Sequence, residues 1–425
     1  MGILNMTSPY MKQTTTLHRL CLLAISLGII STANAAPLSL IEALNLASVH
    51  SPTIAAAKAQ ERGAQAALST ATAFPNPELE LTSGTSRPRQ TGGATGSNAF
   101  VGMSQLVELP SLRAARRLGA EAGIASSTAA LGYAQLNQYT AIKLAFFEAL
   151  RRQEESKLAT ENHALLLQIR NRVKVKVEVG ESPRYELVKS NAEVLAAESA
   201  AMSAALRVTQ AHDRLRALIG APLAQDFMVA SEPLLPSNLP PLSELRLDML
   251  ARQPLIKISV AERQRAQAKL EQEQAARLPQ PTLKLINERD PDMNQWRVGV
   301  ALPLPLWNRR EGQIGEAMAS VQRAEADAQQ INLSLMSDLD QSYNNYQIAK
   351  FQVQTFESGL MNEAENAMKV AEAAYSFGER GILDYLDAQR VLRVTRLNFL
   401  NARYELQAAL IEIERLRATP TAGDI

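Results

Sequence analysis

Two stretches of roughly seventy residues, 112–178 and 309–376, contain no proline and are rich in strong helix formers. In the first, apolar residues recur at three- and four-residue spacing, as in Leu144, Phe147 and Leu150, or Leu165, Leu166 and Ile169. At about 1.5 Å per residue each stretch predicts a helix roughly 100 Å long, far beyond the globular norm. No ordinary core covers a rod of that length. It needs helical neighbours along all of it, and these are supplied by 183–219 with 53–72 in one half and by 382–418 with 255–277 in the other.

The halves of the chain are copies of one plan at a spacing of about 200 residues, far longer than a solenoid period. Ser51-Pro52-Thr53-Ile54 recurs as Gln253-Pro254-Leu255-Ile256, and Phe74-Pro75-Asn76-Pro77 as Leu278-Pro279-Gln280-Pro281. Val101-Gly102-Met103 matches Val298-Gly299-Val300, and Val179-Gly180-Glu181 matches Phe377-Gly378-Glu379. The order of these landmarks is the same in both halves. Each half reads as helix, strand, strand, long helix, medium helix, giving repeats over about 38–220 and 242–418.

The strands follow from period-two alternation. Glu78-Leu79-Glu80-Leu81 and Thr282-Leu283-Lys284-Leu285 each open an alternating run after a Pro-x-Pro, and Ala99 to Val107 and Trp296 to Leu304 close hairpins near 77–108 and 281–305. Each run approaches the 9–11 residues of a tilted outer-membrane strand. Four strands cannot close a barrel alone. Alanine stands where a globular helix carries leucine, as in Ala55-Ala56-Ala57, Ala196-Ala197, Ala200-Ala201 and Ala204-Ala205. Small residues permit close helix approach and leave little for a thick core, so the expectation is a wall one helix deep.

The N-terminus has the order of a secretory signal. Lys12, His18 and Arg19 precede the apolar stretch Leu20 to Ile30, and Ala33-Asn34-Ala35 offers cleavage after Ala35, making 1–35 the signal peptide and 36–425 the mature unit. The only cysteine, Cys21, leaves with it, so the mature chain has no thiol for a disulfide or metal site. No later stretch is apolar enough for a spanning helix, so a membrane crossing has to be made by β-strands in a closed barrel. Its 44 basic residues nearly cancel 43 acidic ones with no basic tract, which argues against nucleic acid as a partner.

With its duplicated helix-hairpin-helix unit, the paired Pro-x-Pro motifs and the stretch Phe377-Gly378-Glu379-Arg380-Gly381-Ile382-Leu383-Asp384-Tyr385-Leu386-Asp387-Ala388, the chain resembles the outer-membrane efflux protein family of TolC. The resemblance covers essentially the whole mature sequence. It implies a mainly α fold with a transmembrane β-barrel: a homotrimer pooling four strands per chain into twelve, continued by a long α-helical barrel in the periplasm of a Gram-negative bacterium. It implies outer-membrane lipid around the barrel, a periplasmic membrane-fusion adaptor at the tips and, through it, an inner-membrane pump of the resistance-nodulation-division class. Leu218-Ile219-Gly220-Ala221-Pro222 and the compact tips look most like the CzcC-type channels of heavy-metal efflux. Drug efflux and type I secretion are the alternatives within the family. A periplasmic coiled-coil adaptor or a structural rod is the alternative outside it, and an adaptor would carry only one hairpin.

The same resemblance supplies candidate residues. Asp384 and Asp387 match acidic positions that ring the periplasmic entrance, while Gly180, Glu181, Gly378, Glu379 and Arg380 match the tip turns that meet the adaptor. Two Asp near a helix start also suit the helix dipole, and a Gly there also suits a helix end. At the positions of the two Asp the first half holds Glu186 and Lys189, so the hairpins are not equivalent. The prolines of Leu302-Pro303-Leu304-Pro305-Leu306 and of Val107-Glu108-Leu109-Pro110 read as the bend between barrel and tunnel. Nothing points to an enzyme or a cofactor. His50, His163 and His212 are scattered, there is no Gly-x-Ser-x-Gly or phosphate-binding loop, and the carboxylates lie among Lys and Arg as in Arg151-Arg152-Gln153-Glu154-Glu155.

Overall fold

The computed structural model describes residues 37–87, 92, 95–224, 227–231 and 239–419; the signal segment 1–35, with Cys21 and the expected cleavage site, lies outside them. The first half comprises α1 (Leu40–His50), α2 (Pro52–Thr72), β1 (Glu78–Ser86), β2 (Gly96–Leu106), α3 (Pro110–Glu178) and α4 (Arg184–Ile219). The second comprises α5 (Leu242–Arg252), α6 (Pro254–Ala275), β3 (Thr282–Arg289), β4 (Asn294–Ala301), α7 (Glu311–Thr355), α8 (Met361–Ser376) and α9 (Ile382–Arg417). Pro52, Pro110 and Pro254 each open a helix, where the missing N–H costs nothing and the fixed φ already suits the first turn.

α3 is the central rod. α2 packs along its start and α4 along the rest on one flank, α6 and then α9 do the same on the other, and α7 and α8 lie outside α6 and α9. The result is a layer one helix deep. Its seams are lined by alanines seven residues apart: Ala115 and Ala122 on α3, Ala197, Ala204 and Ala211 on α4, Ala261 and Ala268 on α6, Ala402 and Ala409 on α9, all buried. A seven-residue period of small side chains favours close contact and a left-handed supercoil. A partly buried ion pair pins two of these helices, Lys143 Nζ on α3 donating to Glu414 Oε2 on α9 at 2.7 Å.

The shorter helices meet end to end at two junctions. At the first, α4 ends on Gly220 with φ +74°, and a Cβ there would stand 3.0 Å from the His50 carbonyl oxygen. At the second, buried Gln253 donates through Nε2 to the carbonyls of Arg415 (3.2 Å) and Leu416 (3.0 Å). Gly220→Ala is expected to destabilise by about 1–2 kcal/mol, combining a left-handed backbone with a close contact, and a lower midpoint of thermal unfolding by circular dichroism checks it. Around the junctions lie the two largest apolar clusters, one with Ile142, Phe146, Leu215, Ile219 and Phe227, the other with Leu245, Met249, Leu339, Leu410 and Ile413. The short helices α1 and α5 pack into them. Neither helix was expected from the sequence, because each ends only a residue or two before the Pro that opens the next.

One long helix is not continuous. The stretch 309–376 was expected to run as a single rod, but a π turn, Phe356–Leu360, separates α7 from α8, with Gly359 outside helical geometry (φ 162°, ψ −31°). The Ser358-Gly359 pair weakens the ladder there, and Phe356 turns to pack its ring on Phe399 of α9 at 5.5 Å between centroids. α3 has no glycine at the matching position and stays unbroken over 69 residues.

The strands form one antiparallel sheet in the order β1-β2-β3-β4, so β1 and β4 are open edges. Below β1 the layer ends in α2, and below β4 it ends in α7. Both edges of the sheet thus continue into unpaired edges of the helical layer on the same sides.

Candidate functional site

The sheet separates its residues by chemistry. The pairings Leu79↔Met103, Leu81↔Val101, Met103↔Leu285, Leu283↔Val300 and Leu285↔Val298 put all these apolar side chains on one face, with Trp296. The other face carries Glu78, Glu80, Ser104, Lys284, Glu288 and Arg297, the last two ion-paired. The apolar face is bare: Leu81 is 68% exposed, Val300 64% and Val298 83%. In water that face would cost free energy in proportion to its area, whereas facing lipid it costs none. Among the described residues no helix is long and apolar enough to cross a membrane, a fact that concerns helices only.

At the opposite end both helical hairpins finish in the same turn. Gly180 (φ +82°) and Gly378 (φ +77°) close α3 and α8 in the left-handed conformation that glycine tolerates. The Glu181 N–H reaches back to the Lys176 carbonyl (2.8 Å) and the Glu379 N–H to that of Ala374 (2.9 Å), which satisfies helix-end carbonyls. Asp384 and Asp387 lie on the exposed side of α9, just past the second turn. Each has a local cation: Arg380 stands 3.6 Å from Asp384, and Arg390 pairs with Asp387. The structure therefore brings Gly378, Glu379, Arg380, Asp384 and Asp387 together on one tip and places Gly180 and Glu181 on the other.

Between the two tips lies a packed contact that sequence reading missed. Tyr375 of α8 and Tyr385 of α9 stack at 5.7 Å with an interplanar angle of 16°, Lys176 of α3 sits 4.5 Å over the Tyr375 ring, and Arg172 of α3 pairs with Glu372 of α8 at 3.5 Å. Ile169, Val173, Ile382 and Leu386 complete this cluster. The helical spacing of Ile382, Tyr385, Leu386 and Gln389 was the available signal, marking the buried side of α9. Burial, with the Glu372 carboxylate behind it, pushes the Tyr385 phenol up to about 12, and burial with the Glu186 charge raises Tyr375. The folded-state values lie above the unfolded value of 10.0, so this stability is complete below pH 10 and is lost as the pH rises toward 12. Thermal melts of the wild type should fall through that window, and those of Tyr375→Phe/Tyr385→Phe should fall less.

His212 is buried, its ring nitrogen Nε2 3.1 Å from Gln153 Nε2 and its ring against Phe227. Among the described residues no group of three or more His, Cys, Asp or Glu is arranged to hold a metal ion.

The sequence pattern of the outer membrane efflux proteins matches residues 43–221 and 245–419, one match in each half. The chain belongs to the outer membrane efflux protein family. Its members transport rather than catalyse. The chain is 29% identical over 387 residues to the cobalt-zinc-cadmium resistance protein CzcC of Cupriavidus metallidurans, covering 90% of both proteins. Its fold is that of the outer-membrane channel OprN (TM-score 0.80, 16% identity, 90% of each chain). It is also that of the CmeC outer membrane channel of Campylobacter jejuni (TM-score 0.76, 17% identity, covering 89% of this chain and 85% of the other). For an outer membrane efflux protein, the bare apolar sheet face and the one-deep helical layer are a barrel wall and a tunnel wall.

Proposed function

We propose that this chain is the outer-membrane subunit of a tripartite export system, working as a homotrimer that carries heavy-metal cations. The observation that carries the channel reading is the coincidence of open edges. β1 and α2 end one side of the protomer and β4 and α7 the other, so head-to-tail copies pair strand to strand and helix to helix with the same operation. Ring closure removes every sheet edge, and three copies of four strands reach twelve, inside the range of transmembrane barrels. The likeness to a cobalt-zinc-cadmium resistance protein supports the cargo.

In this reading Gly180, Glu181, Gly378, Glu379 and Arg380 form the surface offered to a periplasmic adaptor, which couples the channel to an inner-membrane pump of the resistance-nodulation-division class. Asp384 and Asp387 of three copies ring the entrance, favouring cations over anions. In this reading the pump supplies the energy. Growth of a deletion strain on graded zinc, cobalt, cadmium, copper and hydrophobic drugs, with complementation by this chain, tests the cargo. Sensitivity to divalent metals alone is expected; sensitivity to drugs alone would keep the channel and overturn the metal.

A further inference from the structure

We propose that the segment Leu302–Trp307, which follows β4 and belongs to no strand or helix, is embedded in the periplasmic leaflet of the outer membrane, with Trp307 anchored at the headgroup level. The inference rests on the channel reading and assigns a lipid contact to residues outside the barrel strands. Trp307 is 94% exposed, the most exposed large apolar side chain among the described residues. It ends a series, Trp296, Val298, Val300, Leu302, Leu304, Leu306, in which every second residue is apolar and at least 48% exposed. The exposed apolar series of β4 is therefore followed by three more exposed leucines after pairing stops at Ala301.

Length requires the extension. From Trp296 to Ala301 a strand tilted about 40° advances only about 13 Å along the membrane normal, and the exposed segment to Trp307 carries the apolar series further toward the roughly 25 Å of an outer-membrane apolar band. The only two tryptophans of the chain then lie at its two margins, where aromatic girdles sit. Unpaired backbone is costly in lipid, and the sequence limits that cost. Pro303 and Pro305 have no N–H, and the Leu306 N–H turns back to the Leu304 carbonyl at 2.9 Å, so few donors are left bare. Exposed Arg309 follows at the depth of lipid phosphates. The matching exit of the first half is not built this way: Gln105 replaces Leu302 and donates to the carbonyls of Pro75 and Leu106, while the Val107 N–H stays in the ladder on Pro281.

The test uses two single-tryptophan proteins, Trp296→Phe and Trp307→Phe, of the full mature chain in phosphatidylcholine vesicles. Lipids spin-labelled near the headgroup or deep in the acyl chain are the quenchers, with iodide on both sides. The Trp307 emission is expected to be blue-shifted, protected from iodide and quenched severalfold more by the shallow than by the deep label. If Trp307 is quenched by iodide and not by lipid, or is protected from both because a neighbouring protomer covers it, while Trp296 still responds to lipid, the anchor is wrong and the barrel stands. If neither tryptophan responds to labelled lipid, the channel reading fails, and the anchor fails with it.

Discussion

Val300→Arg is expected to remove the protein from the outer membrane. Val300 sits between Val298 and Leu302 on the apolar side of β4, is 64% exposed, and has Leu283 beside it on the same bare side of the sheet. An arginine near the bilayer midplane on the lipid side of a barrel costs about 2–4 kcal/mol, and a trimer incurs it three times. Thr82→Arg is the control, because Thr82 lies on the polar side of the sheet beside Glu80, where a barrel encloses water. Immunoblots of membrane fractions with unboiled samples should show the trimer lost for Val300→Arg and kept for Thr82→Arg. Equal assembly of both variants would contradict the assignment of the apolar side to lipid.

Tyr385→Ala is expected to unlock the periplasmic end. Tyr385 is 1% exposed and fills the contact between α8, α9 and α3; truncating a buried aromatic side chain costs about 3–5 kcal/mol through lost burial and a residual cavity. The loss is local, at the end of the rods farthest from the sheet, so assembly should survive while the tip opens. Planar-bilayer recordings should show a severalfold higher conductance. Tyr385→Phe keeps the ring and should conduct like the wild type, because the ring and not the hydroxyl fills the contact between the helices. Asp384→Asn/Asp387→Asn changes charge without touching this packing, and its expected signature is different: lower preference for cations, with smaller change in open-tip conductance. Unchanged ion selectivity would take the two carboxylates out of the entrance, a result that their pairing with Arg380 and Arg390 makes worth seeking.

Much of the architecture was legible because it is written in local periodicities. The alternation at Glu78-Leu79-Glu80-Leu81 and at Thr282-Leu283-Lys284-Leu285 declares strands with two unlike faces, and the proline-free helix-forming run after Pro110 declares a rod too long for a globule. The turns at Gly180 and Gly378 were equally readable, since a helix that must stop sharply favours glycine in the left-handed region. The π turn escaped because Ser358 and Gly359 inside a long helical pattern are individually tolerated; only the packing of Phe356 on Phe399 shows that the ladder yields there.

The sequence by itself therefore determined the element types, their order and the division of each strand into apolar and polar sides, all properties of neighbours along the chain. Tertiary structure alone decided which helices share a seam, that β1 with α2 and β4 with α7 end the protomer on matching sides, and that Tyr375 and Tyr385 stack beside Lys176. It also decided that Asp384 and Asp387 meet arginines on their own helix and turn. The reason is physical: periodicity records which side of an element is buried, whereas the partner that buries it is chosen by packing between residues up to 271 positions apart, as Lys143 and Glu414 are.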